Sequence, residues 1–148
     1  MRNIVVAIDP LTEEAAKVIA WSMDNFLRPD DNIHLAVVVL KDADLADAGC
    51  IVSDNVESLE HELYDKMQMA LQKAMDQLKS KGLTQIEAHV LEAHSKQTCK
   101  CLVQFLNKQS TDCLIMGCRN LKGFKRYFMG SFSDYVQTHV DCPVLIVK

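Results

Sequence analysis

Short apolar runs, separated by stretches with helical spacing, constrain this chain more than any other feature. Asn3 to Ile8 is nearly all β-branched or small apolar, the composition of a central strand buried on both faces. Ile33 to Leu40 is a second run of this kind, Cys113 to Met116 another, and Val144 to Val147 the last, after Pro143. Ile86 to Leu91 alternates and completes a set of strands. Between the first two runs, Ala15, Val18, Ile19, Ser22 and Phe26 recur at helical spacing, with Thr12 as the expected N-cap and Glu13 and Glu14 in the first turn. Val56, Leu59, Leu63, Met67, Ala70, Ala74 and Leu78 mark a long amphipathic helix that Lys79, Lys81 and Gly82 should end. Ser95 is placed to cap a helix in which Cys99, Leu102, Val103 and Leu106 share a face, and Ser131 to His139 reads as the last helix. Regular alternation of strand and helix predicts an α/β fold: one parallel sheet with helices on both faces. Periodicity alone leaves the strand order open.

At 148 residues the chain has the length of one domain, spanning 1–148, with enough residues to bury a core. A net charge of −4 gives no dominant basic surface, which argues against general nucleic-acid binding. No apolar run approaches the roughly 18 residues of a membrane span, and MRNIVVAIDP reads as a strand rather than a signal peptide. Six cysteines without a CxxC pair suit a reduced, cytoplasmic setting. The five histidines, at 34, 61, 89, 94 and 139, are scattered without the paired spacing of a zinc site, so no metal is expected. The methionines at 67, 69 and 75 read as core filler. Residues 41 to 53 form an acidic connection of a length that is often functional in a small domain.

The stretch from Cys113 to Tyr135 carries the functional signal. A buried strand stops at Gly117, and a basic loop follows with Arg119, Asn120, Lys122, Gly123, Lys125 and Arg126. Gly130 and Ser131 then open a helix. Strand, basic loop and a helix opening on glycine and hydroxyls can hold a phosphate, because the first-turn N–H groups point at the anion and the helix dipole favours negative charge. No glycine-lysine-serine/threonine run of the Walker type is present.

Gly117, two residues, Asn120, nine residues, then Gly130-Ser131 resembles the universal stress protein signature, in which Asn120 takes the place of the second glycine. SerPheSerAspTyr and the tail Asp141-Cys142-Pro143-Val144-Leu145-Ile146-Val147 are similar to plant-like single-domain members. Asparagine is the commonest non-glycine residue at positive φ, so the turn can survive the exchange.

The resemblance implies a three-layer, Rossmann-like sandwich resembling the adenine nucleotide alpha hydrolases, with strand order 3-2-1-4-5. It also implies ATP or AMP as ligand and a stress-response regulator or switch. In such sheets the ligand sits beyond the carboxyl ends of the strands at the switch point. The nucleotide-binding residues implied are Asp9, Pro10, Val38, Met116, Gly117, Arg119, Asn120, Gly130, Ser131, Phe132 and Ser133. Asp9 suits a ribose hydroxyl or a magnesium ion held through phosphate oxygens, and equally a cap on the first helix or loop. Pro10-Leu11 stand where the nucleotide-binding branch usually has glycine and serine. The resemblance implies that the backbone of Val38 meets adenine; on the residues alone Val38 reads as core. The glycines can be plain turn formers and Ser131 and Ser133 plain caps; the spacing of the set is what informs.

No histidine or acid pair is forced near this loop, so the reading is of a nucleotide-holding domain rather than a dedicated enzyme, with any ATPase activity slow. The resemblance further implies a homodimer through the C-terminal strand. Two rivals remain at this level: a dimeric interaction module of the same fold without nucleotide, which Asn120 and Pro10-Leu11 favour, and a thiol redox protein using Cys118.

Overall fold

A computed structural model describes residues 1–40, 53–94, 97–117 and 131–148. In chain order the elements are β1 (Asn3–Ala7), α1 (Glu13–Asn25), β2 (Asn32–Leu40), α2 (Ser53–Ser80), β3 (Ile86–Ala93), α3 (Thr98–Lys108), β4 (Cys113–Gly117), α4 (Ser131–His139) and β5 (Val144–Val147). The strands form one sheet in the order β3-β2-β1-β4-β5, and every pairing is parallel. The expected α/β architecture and strand order both hold.

Alternation along the central strands sorts the core into two faces. Ile4, Val6 and Ile8 join Ile33, Leu35, Val37 and Ile115 beneath α1 and α2. Val5 and Ala7 point the other way, with Ala36, Leu114 and Met116, beneath α3 and α4. Both sets are buried, as a strand apolar on both faces requires. In α2, Met67, Leu71, Ala74 and Leu78 follow one another by four, three and four residues and are all buried, a single stripe against the sheet. Met69 lies off that stripe and is 74% exposed, so it is not the core filler expected.

Gly82 ends the α2 unit as expected. Its φ of 83° lies in the left-handed region, where a Cβ is disfavoured. Its N–H donates to the Lys79 carbonyl at 2.9 Å and that of Leu83 to Leu78 at 3.3 Å, which satisfies carbonyls of the last turn. Two caps differ from expectation. Thr12 occupies the N-cap of α1 but makes no side-chain cap bond; its hydroxyl donates backwards to the Asp9 carbonyl at 2.7 Å. The N-cap of α3 is Gln97, and Ser95 lies outside the described residues. β3 runs two residues past Leu91, and α2 opens three residues before Val56.

Charged groups close the amino ends of the strands. Arg2 donates two hydrogen bonds to Asp31, from Nε at 2.8 Å and Nη2 at 2.6 Å. Its guanidinium also donates to the Phe26 carbonyl and lies 4.9 Å from the centre of that ring. The Arg28 N–H donates to Asp31 at 2.8 Å. Burial alone would raise the Asp31 carboxyl, but the Arg2 and Arg28 bonds outweigh it and hold the carboxyl below its ordinary value. The Arg2 guanidinium is raised by the same bond. Beside this clamp, Asp112 accepts from the Asn3 N–H at 2.7 Å, and its own N–H donates to the Asn3 carbonyl at 2.8 Å.

Candidate functional site

Beyond the other ends of the strands, β1 and β4 part. They run side by side with Ala7 opposite Met116. The chain then leaves β1 into α1 on the first face, whereas α4, which follows β4, packs on the second. The connections diverge at this point and leave a crevice, the position where open α/β sheets bind ligands. A shallow cleft there is lined by Ile8, Asp9, Thr12, Glu14, Val18 and Gly117, among others.

Asp9 and Gly117, paired only by reasoning from sequence, thus come together in one cleft. The Asp9 carboxylate accepts the Leu11 N–H at 3.2 Å, and its carbonyl accepts both the N–H and the hydroxyl of Thr12. The turn through Pro10 is therefore held by Asp9 itself, an Asx-type arrangement that fixes where the carboxylate stands. Pro10 needs no donor there, since the N–H groups used are those of Leu11 and Thr12. It flanks the cleft without lining it.

Gly117 owes its identity to close approach. A Cβ built on it would stand 3.0 Å from Val18 Cγ2 and 3.1 Å from Glu14 Cγ and Cδ. The first turn of α1 therefore rests directly on the end of β4, and Glu14 extends over it. Sequence reasoning assigned Glu14 only to the helix dipole and Thr12 only to a cap. Both line the cleft, and the signal that could have found them is their place in the first turn after a central strand.

The other expected residues divide. Met116 is buried in the second face beside Val5 and Leu114, so its side chain is core and only its backbone reaches the strand end. Val38 lies on β2 opposite Leu91 and packs against the same core, outside the cleft. Ser133 stands half-buried in the first turn of α4. Ser131 and Phe132 open that helix, and their side chains lie outside the description. Arg119, Asn120 and Gly130, the basic loop, Cys118 and residues 41–52 lie outside the described residues. Burial raises the thiols of Cys113 and Cys142, which behave as small apolar groups rather than nucleophiles. Two of the five histidines come together in space: His34 and His89 meet across β2 and β3, beside Glu87.

A model of the universal stress protein family matches residues 1–148. The chain belongs to that family. Universal stress protein PHOS34 of Arabidopsis thaliana is 29% identical over 168 aligned positions, covering 99% of this chain and 62% of the relative. This family member spans less than two thirds of the length of the curated relatives it matches over most of its residues. A universal stress protein solved in complex with cAMP superposes with a TM-score of 0.64 at 18% identity, over 99% of this chain and 96% of that one. The universal stress protein from Archaeoglobus fulgidus in complex with dAMP gives 0.58 at 19% identity, over 100% and 98%. At such identities the likeness is one of fold.

Proposed function

We propose that this universal stress protein domain binds an adenine nucleotide in the crevice between β1 and β4 and acts as a ligand-controlled regulator rather than a dedicated enzyme. The observation that carries the reading is the meeting of Asp9 and Gly117 in one cleft at the point where the strand order reverses. Related folds solved with cAMP and dAMP support adenine as the base. The donor set fits a nucleoside: Asp9 and Glu14 are acceptors suited to ribose hydroxyls, and both would repel an unescorted phosphate. That assigns the phosphates of ATP or AMP to the other side of Gly117, towards the first turn of α4, where Ser131 and Ser133 stand.

Arg119, Asn120 and Gly130 complete the site in this reading, and phosphate occupancy orders the loop from Leu121 to Met129 as the switch. The test is mass spectrometry of small molecules released from heat-denatured protein, followed by ATP and AMP titration. Stoichiometric adenine nucleotide, lost in Gly130→Val, is expected. An empty protein that fails to titrate at millimolar nucleotide would reject the reading.

A second reading rests on β5. It is the edge of the sheet beyond β4, and Val144, Leu145 and Ile146 on it are half-buried apolar residues. An edge of this kind invites pairing with a second copy. A homodimer through β5 would make the domain an interaction module with or without nucleotide. Sedimentation of wild type against Leu145→Lys checks it, and a monomer in both would remove it.

A further inference from the structure

A second cluster lies away from the crevice, towards the amino half of β2. The register of β2 with β3 sets His34 opposite Glu87 and Ala36 opposite His89. Residues two apart on a strand share a face, so all three side chains converge on one patch at the margin of α3. His34 Nδ1 and His89 Nε2 are 3.0 Å apart. Glu87 Oε2 lies 3.8 Å from the first nitrogen and 3.6 Å from the second.

At 3.0 Å one ring nitrogen must carry the proton and the other the lone pair. A metal ion can replace that proton and accept a lone pair from each ring. Zinc bonds of about 2.0–2.2 Å at the tetrahedral angle set neighbouring ligand atoms about 3.3–3.6 Å apart. The three separations here, 3.0, 3.6 and 3.8 Å, bracket that spacing.

We propose that His34, Glu87 and His89 form a binding site for a divalent transition cation of the zinc type, held by two imidazole nitrogens and one carboxylate oxygen with a fourth position open to water. Two ligands are anchored and one is mobile. His34 is only 9% exposed on an interior strand, and the His89 ring packs 4.8 Å from Phe105 of α3. The Glu87 side chain is 71% exposed and can swing through the few tenths of an ångström that coordination needs. A cation here would bridge the edge strand β3 to β2 independently of the nucleotide crevice.

Zinc titration of the full chain under reducing conditions, by calorimetry and by X-ray absorption, tests the site. One Zn2+ per chain is expected at roughly micromolar affinity, with two nitrogens and one oxygen at about 2.0–2.2 Å from the protein. His89→Ala should abolish it and Glu87→Gln should weaken it by at least about tenfold, and the exposure of Glu87 makes misfolding of that variant a poor explanation. Replacing the cysteines by serine should leave binding unchanged. Absence of saturable binding at about 100 μM zinc, sulfur ligands in the absorption spectrum, or undiminished binding in Glu87→Gln would each overturn the proposal.

Discussion

At the amino ends of the strands, side chains reach across the sheet to one another: Arg2 of the β1 segment to Asp31 before β2, and Asn3 of β1 to Asp112 before β4. At the carboxyl end of β1 the described bonds of Asp9 stay within its own turn, to Leu11 and to Thr12, and the described residues form a cleft beside Gly117. Among the described residues, the same parallel sheet thus has one end tied across its strands and one end that forms a cleft, the end where open α/β sheets take ligands. The contrast predicts that stability and binding can be damaged separately.

The largest effect should come from the tied end. Arg2→Met leaves Asp31 buried without its bidentate partner, and removing one member of such a pair costs about 3 kcal/mol where the pair is only partly buried. Denaturant unfolding measures this, and AMP affinity of the folded fraction should stay unchanged. Arg2→Met combined with Asp31→Leu should recover most of the loss, since no buried charge is then stranded. A double variant as unstable as the single one would show that the ion pair is not what closes this end.

Gly117→Ala should be smaller in stability, about 1–2 kcal/mol, because the new methyl meets Val18 and Glu14 at the near contact distances already described. It should be larger in binding, weakening nucleotide by about tenfold or more if α1 shifts over the crevice. Loss of stability without loss of affinity would detach Gly117 from the site.

The third effect is a pH dependence. The folded-state pKa of Asp31 lies below its unfolded value near about 3.9, so the unfolded chain binds more protons between the two values. Its stabilisation is complete above the unfolded pKa and is lost as pH falls through the folded one. An acid titration of Asp31→Asn should lack this part of the slope below about pH 4, and an unaltered slope would assign acid sensitivity to other carboxylates. Least of all, Glu87→Gln should change stability by no more than about 0.5 kcal/mol in zinc-free buffer, as expected of an exposed side chain.

Much of this frame is legible in the residues. Asn3 to Ile8 and Cys113 to Met116 announce buried strands by composition, and Gly82 announces a helix end by its freedom at positive φ. Local chemistry determines such features, so local sequence reveals them. What was hidden depends on partners distant in the chain. His34 and His89 are 55 residues apart and meet only through the register of β2 and β3. Glu14 looks like an ordinary first-turn acid until β4 is laid against α1 and Gly117 comes under it. Met69 fits the composition of a core residue but falls off the buried stripe of α2. The Thr12 hydroxyl had two acceptable partners, and the turn held by Asp9 selected the backward one.

The most direct measurement is hydrogen exchange by mass spectrometry with and without ATP and AMP. The account predicts nucleotide-dependent protection in peptides covering residues 7–18 and 114–134, with the amino-end segments 26–32 and 110–112 unchanged. Protection confined to the amino end, or none at saturating nucleotide, would contradict it.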